Sequence, residues 1–354
     1  MIGERIKRAR GASGLSLRNL AEQVGVSHAM IKKYEDNQSM PSSDTLLRIA
    51  KTLDVRVEYF FRPASVTLDG IEYRKRADTP KRVIKRIEAD VLDQAERWEE
   101  LANLWPNFPT PHFSLSNQLP SSIASMEDVD AFADALREVW QLGFNPLPDL
   151  VETLESKGVL VIITAADSEN KFDGLQASVN GKPVLVVSAN WPGDRQRFTL
   201  AHELGHLVLH GRLPADMDEE KACNRFASAF LMPAQTMRRH LGESRKMLEI
   251  QELYHLKHEF GLSMQACLRR ASDLGIISDS VCQRLLEVFS KQGWRKQEPG
   301  KAYPQENTSL FKQLVFRAHA ENIIGEAKAA EFLGLSAMDF HLMRKMELPD
   351  AVAS

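Results

Sequence analysis

The feature that most constrains the fold is a pair of histidines within the apolar segment RQRFTLAHELGHLVLH. His202 and His206 stand four residues apart, and on an α-helix this spacing puts both side chains on one face, about 6 Å apart. Two imidazoles so placed can converge on one Zn²⁺ ion, which in hydrolytic sites takes three protein ligands and a water. Glu203 follows the first histidine and is placed to accept a proton from that water. His210 repeats the four-residue step, but we exclude it as a ligand because it lies about 12 Å from His202 along the helix axis.

The third ligand is expected on a second helix, which the segment DMDEEKACNRFASAFLMP predicts. Glu220 and Asn224 lie four residues apart, so both can face the first helix. Glu220 would complete a set of two histidines and one glutamate, and Asn224 would hold a ligand histidine through its other ring nitrogen. Glu219 is the competing choice, with Cys223 as its own partner four residues on. The alternative is that both glutamates are surface charges at a helix start, where acidic side chains are favoured.

The segments before this helix pair predict helices followed by a small antiparallel sheet, an α+β layout. Helical spacing of apolar residues marks MEDVDAFADALREVWQLG and NPLPDLVETLESKG, and VLVIIT, LQASVN and PVLVVSAN are strand-like. Asn180-Gly181, between the last two strands, is a strong hairpin signal. An edge of this sheet could accept an extended peptide as a further strand. Arg195, Arg197 and His240 are candidates to stabilise a developing oxyanion, or else plain surface residues.

The N-terminal quarter of the chain is basic, although the whole chain has a net charge of −3. Residues 1–62 contain eleven Arg and Lys against seven Asp and Glu, and YRKRADTPKRVIKR at 73–86 contains seven bases and one acid. A basic region in an acidic protein is typical of nucleic-acid binding, and the alternative is a solvated basic face.

The pattern of residues 1–62 favours nucleic-acid binding, because it predicts short helices joined by tight turns. Ser16 caps a second helix, Gly25 ends it, and Ser27 begins a third, SHAMIKKYED. The segment LAEQVGVSHAMIKKYEDNQSMPSSDTLLRIAKTLDV closely resembles the Xre/Cro-type, lambda-repressor-like DNA-binding domain. The resemblance implies an all-α domain that contacts DNA through five residues. It implies that Lys33 contacts phosphate and that four residues face base edges, namely Ser27, His28, Ala29 and Lys32.

This resemblance has one departure that bears on DNA contact. Many relatives carry glutamine where this chain has Leu17 and His28. Leu17 has no donor for phosphate, so one usual backbone anchor is missing and the operator sequence cannot be copied from a relative. A helix-turn-helix used only for protein contact is the alternative reading.

The zinc-site segments together resemble a second family. FTLAHELGHLVLH, the following EEKACNRFASAFLMP and the lead-in LREVWQLGFNPLPDLVETLESKGVLVI are similar to the ImmA/IrrE-type metallopeptidases over about residues 127 to 240. The resemblance implies a zincin-like zinc endopeptidase domain of bacterial regulators, some of which cleave Xre-type repressors. It implies His202, His206 and Glu220 as zinc ligands and Glu203 as the base. Cys223 departs from the alanine common in relatives, and we do not interpret it as a ligand.

The whole chain is therefore interpreted as a multidomain, mainly α protein with a small antiparallel sheet. We predict a helix-turn-helix domain at 1–63, a basic, helical linker at 64–125, a metallopeptidase domain at 126–243 and a helical C-terminal domain at 244–354. The C-terminal region is predicted to contain further helix pairs that look like helix-turn-helix units. For these pairs, a role in packing, homodimerisation or substrate docking is favoured over a second DNA contact. The segment SKQGWRKQEPGKAYPQENTS within it is expected to be an exposed loop.

The predicted function is a DNA-binding bacterial regulator, of the stress-response kind, whose Zn²⁺-dependent endopeptidase cuts a regulatory protein such as an Xre-type repressor. Its partners would be a double-stranded DNA operator and the protein substrate. The alternative is a non-proteolytic transcription factor or antitoxin-like regulator whose metallopeptidase fold senses a ligand or partner. Three widely spaced cysteines, no apolar leader and no apolar run of about 18 residues predict a cytoplasmic protein with no membrane partner.

Overall fold

A computed structural model describes residues 2–62, 66–75, 80–166 and 172–347. The described part is mostly helical and contains one four-stranded sheet, which confirms the predicted multidomain, mainly α class. Among the described residues, no helix combines the length and the apolar character that crossing a membrane requires.

The N-terminal region is a bundle of four short helices and one 3-10 turn. Ser16, Ser27 and Ser42 cap three of the helices by accepting backbone N–H bonds, and Gly25 ends one at a φ of 75°. The caps at Ser16, Gly25 and Ser27 lie where the sequence predicted them, because serine oxygens accept from the first N–H groups of a helix and glycine tolerates positive φ. A separate apolar core fills the bundle. The elements are α1 Ile2–Ala12, α2 Leu17–Val24, α3 His28–Glu35, α4 Ser43–Thr52 and the turn Val57–Phe61.

The sheet has the strand order β1-β3-β4-β2, and it is mixed rather than wholly antiparallel. Its strands are β1 Leu68–Lys75, β2 Leu160–Thr164, β3 Phe172–Val179 and β4 Lys182–Ser188. The predicted hairpin between β3 and β4 is confirmed, with positive φ at Asn180 and Gly181. The antiparallel prediction was wrong for β2, which lies parallel to β4. The strand patterns are local, whereas the neighbour beside which a strand lies depends on a segment elsewhere in the chain, which for β2 is β4.

The segment predicted as a linker contributes β1 and the long helix α5 Lys81–Leu104 to this layer of the fold. Val83, Ile87 and Val91 of α5 pack on one face of the sheet. The far end of α5 packs through Trp98 and Leu101 on the C-terminal helices. The segment is partly helical, as expected, but the apolar side chains of α5 are buried against the sheet and against the C-terminal helices, so α5 is an integral part of the fold. Of the basic stretch at 73–86, residues 76–79 lie outside the described residues.

The opposite face of the sheet covers the main hydrophobic core. Val161, Leu185 and Val187 point into this core, while their neighbours Ile162, Val184 and Val186 face α5, as the two-residue period of a strand requires. The core continues through helices on both sides of the predicted boundary between residues 243 and 244. The domain limits therefore stay a prediction. These helices are α6 Met126–Val139, α7 Leu150–Glu155, α8 Gly193–Leu209, α9 Glu219–Leu231, α10 Ala234–Leu241, α11 Ile250–Phe260, α12 Met264–Asp273 and α13 Asp279–Lys291.

The last helices and the loop before them complete the C-terminal region. The helices α14 Leu310–Ala320, α15 Glu326–Phe332 and α16 Ala337–Arg344 pack with the end of α5. The loop was expected to be exposed, yet the structure anchors it at several points. Glu298 pairs with Lys257 at 2.9 Å and accepts from the first N–H groups of α12, and Glu306 pairs with buried Arg197 at 2.9 Å. The polar composition of the loop does not indicate these partners, because they lie far away in the sequence.

Glu155, at the end of α7, makes the stability of the fold pH-dependent. Burial, together with Asp149 and Glu152, raises the pKa of Glu155 from 4.5 to about 8. Because the folded pKa lies above the unfolded one, its stabilising contribution is complete below pH 4.5 and is lost as the pH rises through about 8. We expect the unfolding free energy of the wild type to fall between pH 5 and 8.5 relative to that of Glu155→Gln. Urea unfolding of both proteins across this range measures the difference, and parallel pH curves would contradict the assignment.

Candidate metal centre and nucleic-acid-binding surface

The candidate metal centre lies where α8 packs against α9. Gly205 permits this close packing: a Cβ there would lie 3.2 Å from the Cα of Cys223 and 3.2 Å from the ring of Phe226. The room that Gly205 leaves is thus filled by the neighbouring helix. Cys223 is fully buried in this contact, which fits a small packing residue.

Three predicted ligands come together at this contact. Nε2 of His202 lies 3.1 Å from Nε2 of His206, and each lies 3.4 Å from a carboxylate oxygen of Glu220. Their ligand atoms all lie within 4.8 Å of one another. Two imidazoles and a carboxylate are the donor set of many hydrolytic zinc sites, so these residues fit the ion that the sequence implies. A second set, His206, Glu219 and Cys223, also brings donors within 4.8 Å.

We favour the set that contains Glu220 because the other ring nitrogens of both histidines are already engaged. Nδ1 of His202 lies 3.0 Å from Oδ1 of Asn224, and Nδ1 of His206 lies 3.1 Å from Oε1 of Glu219. An N–H at each Nδ1 would donate to these oxygens, so that each Nε2 would carry the lone pair that can bind a metal. The structure thus places Asn224 beside His202, and it gives Glu219 a contact with His206 that the sequence reasoning missed. The available signal was an acidic residue next to Glu220 at a helix start.

Exposure differs sharply across the centre. The side chain of His202 is fully buried and that of His206 is 10% exposed, whereas the side chain of Glu220 is 63% exposed. Glu203 is also buried. Beside it Gly174 of β3 keeps the sheet close, since a Cβ there would lie 3.4 Å from Oε1 of Glu203 and 2.5 Å from the side chain of Thr199. The centre is therefore open to solvent at Glu220 on α9, and on the other side β3 approaches Glu203 at Gly174.

The three candidates for oxyanion stabilisation have other partners. Arg197 is buried, donates to the Leu147 carbonyl at 2.7 Å and pairs with Glu306. Arg195 pairs with Asp173 and lies over the ring of Trp191. His240 packs against the ring of Phe260 and lies 3.5 Å from Glu259. Arg197 thus has a structural role, and none of these six contacts connects its residue to the candidate metal centre. His210, excluded as a ligand, is exposed at the end of α8.

The orienting contacts of Glu219 and Asn224 give a direct prediction. Removal of a side chain that orients a ligand histidine commonly lowers metal affinity about 10–100-fold. We expect Glu219→Ala and Asn224→Ala each to weaken zinc binding by about this factor, measured by competition with a chromophoric chelator. Lys221→Ala is the matched control, because Lys221 is exposed on the same helix. Wild-type affinity in Glu219→Ala would show that its contact with His206 is incidental.

The predicted DNA-contacting residues lie together at α3. Ser27 caps this helix by accepting from the backbone N–H of Met30 at 3.2 Å. The five predicted contact residues are all exposed, namely Ser27, His28, Ala29, Lys32 and Lys33. Leu17 packs partly against the apolar core of the bundle. The structure therefore leaves the predicted recognition helix open to a partner.

A buried ion pair fixes the orientation of α3 within the bundle. Arg10 of α1 donates to both carboxylate oxygens of Glu35, at 2.6 and 2.9 Å. Glu35 itself is 7% exposed. A bidentate pair of this kind defines direction as well as distance, so it aligns α3 against α1.

Comparison with known proteins identifies both regions. A family model described as Helix-turn-helix matches residues 6–60, and a peptidase family model described as IrrE N-terminal-like domain matches residues 154–272. An uncharacterized transcriptional regulator in the ATPase CF(0) region of Rhodospirillum rubrum is 40% identical over 60 residues, which are 17% of this chain and 56% of that protein. The regulator SinR of Bacillus subtilis is 43% identical over 58 residues, or 16% of this chain and 52% of SinR. The chain spans about half the length of these curated relatives.

Solved structures add little to this. PlcR of Bacillus thuringiensis, bound to a peptide and DNA, aligns over 98% of both chains with 12% identity and a TM-score of 0.18. ComR of S. thermophilus aligns over 98% of this chain and 95% of its own, with 14% identity and a TM-score of 0.17. These scores carry no argument about fold or function. The family matches, in contrast, overlap the two regions that the motifs predicted, although the second lies at 154–272 rather than at 126–243: the chain combines an N-terminal helix-turn-helix domain with an IrrE N-terminal-like domain of a peptidase family.

Proposed function

We propose that the protein is a DNA-binding regulator that acts as a zinc-dependent endopeptidase on a regulatory protein, such as an Xre-type repressor. The observation that carries this proposal is the convergence of His202, His206 and Glu220 at one point beside buried Glu203. A site built only to sense a ligand has no chemical need for a base at position 203, so Glu203 favours the enzyme over the sensor.

The side chains of the centre have distinct roles in this proposal. His202, His206 and Glu220 would hold Zn²⁺, which when bound activates water and polarises the peptide carbonyl. Glu203 accepts a proton from the attacking water and passes it to the leaving amine. Asn224 and Glu219 keep the two imidazoles turned towards the ligand position. The exposed side of the centre at Glu220 leaves room for a peptide of another protein to enter.

The experiment that tests the proposal uses the full chain loaded with zinc. It is incubated with purified Xre-type repressors, and products are followed by mass spectrometry with and without a chelator. We expect cleavage of a repressor at one bond, its loss on chelation and its return when zinc is added back. A repressor that stays whole while still binding the protein would favour the sensor.

A protein that binds an operator would be located in the bacterial cytoplasm, with the DNA. We expect the affinity for the operator to fall strongly as the salt concentration rises. Lysine contacts to phosphate release counterions, so the logarithm of affinity falls linearly with the logarithm of salt concentration. We expect Lys33→Ala to weaken binding and to reduce that slope by about one. Fluorescence anisotropy with operator DNA between about 50 and 200 mM salt measures both effects.

The matched control for operator binding is Lys291→Ala, since Lys291 is exposed on α13, far from α3 in the sequence. This control should bind DNA as the wild type does. A salt-independent affinity, or equal slopes for Lys33→Ala and the wild type, would contradict the proposed DNA-binding surface.

A further inference from the structure

Strand β1 occupies the outer edge of the sheet, next to the candidate active site. It pairs antiparallel with β3 from Leu68 opposite Val179 to Lys75 opposite Phe172. An extended peptide was expected to add as a further strand at an edge of this sheet. On the β3 side, the chain's own segment between the helix-turn-helix domain and α5 takes such a position.

The register brings the backbone of β1 close to the catalytic carboxylate. Arg74 lies directly opposite Gly174 of β3. A Cβ on Gly174 would lie 3.4 Å from Oε1 of Glu203, and adjacent strands are about 4.8 Å apart. The backbone around Arg74 is thus one strand spacing beyond the point where the sheet meets Glu203. In addition, the pairing is irregular between Arg74 and Lys75, where β3 has one extra residue.

Proteins often bind extended peptides by adding them to a sheet edge, because backbone hydrogen bonds give affinity for any sequence. From these positions we propose that β1 is a substrate of this same active site, and that the chain hydrolyses its own backbone between Tyr73 and Lys75. This inference rests on the proposed peptidase function. Its consequence is a chain cut between its DNA-binding domain and its peptidase domain.

The step is an ordinary hydrolysis and needs no further reactant. Water adds to the peptide carbonyl, the C–O bond forms and the C–N bond breaks, and Glu203 transfers the proton to the leaving amine. The N-terminal piece gains a carboxylate and the C-terminal piece gains an amine. After the cut, the DNA-binding domain stays attached by noncovalent contacts among the described residues. They include the pairing of the remaining part of β1 with β3 and the ion pairs of Arg8 with Glu96 and of Arg62 with Asp93 and Glu331.

The test uses the full-length protein with zinc added, followed by gel electrophoresis and intact mass. We expect two fragments whose junction lies between Tyr73 and Lys75, with a rate constant that does not change with protein concentration. Chelation and Glu203→Gln should each prevent the cut. Unfolded casein, added to a parallel reaction, reports peptidase activity on other proteins.

The variant Glu72→Pro with Tyr73→Pro tests whether β1 is cut where it lies on the sheet. Proline has no backbone N–H, and in a regular strand one of two adjacent N–H groups faces the neighbouring strand. We expect self-cleavage to fall by about tenfold or more, equivalent to about 1.4 kcal/mol, and casein cleavage to rise because the edge is vacated. Glu72→Ala with Tyr73→Ala is the matched control, since it retains both N–H groups. Thermal unfolding verifies that both variants fold.

The outcomes separate this inference from the proposed function. A wild-type chain that stays whole while casein is cut overturns self-cleavage and leaves the peptidase proposal standing. Fragmentation that accelerates with protein concentration, or that the proline pair does not change, also overturns it. If neither the chain nor casein nor a repressor is cut, the proposed function fails and the inference fails with it.

Discussion

Glu203→Gln is expected to bind zinc with wild-type affinity and to lose peptide hydrolysis by about 10²–10⁴-fold, the usual contribution of a general base. Glutamine keeps the size of the side chain but has no basic oxygen for the proton of the attacking water. The three ligands His202, His206 and Glu220 are unchanged, so metal affinity should not move. Zinc binding is measured by chelator competition and hydrolysis by the rate of repressor cleavage.

The matched control for this prediction is His210→Ala. His210 is exposed on the turn that follows α8, and its distance from His202 along the helix excludes it from the centre. It should retain both zinc and activity. If Glu203→Gln regulates its target genes as the wild type does, the protein is the non-proteolytic sensor and its peptidase site is not needed for regulation.

Glu96→Ala is expected to destabilise the protein by about 3–5 kcal/mol, because it leaves a buried charge without its partner. Glu96 lies on α5 and contacts Arg5 and Arg8 of α1, the second at 2.6 Å. The side chain of Arg5 is fully buried and that of Glu96 is 4% exposed. Chemical denaturation of the full chain, followed by fluorescence, measures the loss.

The control for this prediction is Glu4→Ala. Glu4 also pairs with Arg8, but at 4.0 Å and with a side chain that is 63% exposed. A surface pair of this kind contributes about 0–1 kcal/mol. Equal effects of the two substitutions would show that the contact between α1 and α5 is not a buried ion pair in solution. A large effect of Glu96→Ala alone would establish that the helix-turn-helix domain is docked on α5.

Much of this protein was predictable from sequence because its decisive signals are local. The helix of His202 and His206, the caps at Ser16 and Ser27 and the hairpin at Asn180-Gly181 each depend on a few neighbouring residues. Glu220 and Asn224 were predictable since both sit one helical turn apart on the next helix. These features are confirmed as elements of structure, whereas their roles in metal and DNA binding stay predictions.

The remaining features depend on residues that are distant in sequence. The parallel pairing of β2, the ion pair of Arg5 with Glu96 and the anchoring of the C-terminal loop at Glu298 and Glu306 all join such segments. A segment with basic composition, such as the one before α5, carries no signal that it will form an edge strand. Polar and charged side chains have many acceptable partners, and only packing selects one.

The spacing of two histidines in an apolar helix was enough to predict the metal chemistry that we propose for the chain. That spacing acts through helix geometry alone, which three to five residues define. Only the tertiary structure decided that Glu219 contacts His206, that Gly174 brings the sheet to Glu203 and that β1 lies on the edge beside it. Those relations follow from how helices and strands pack, because the apolar surface of each element can be buried only against particular partners.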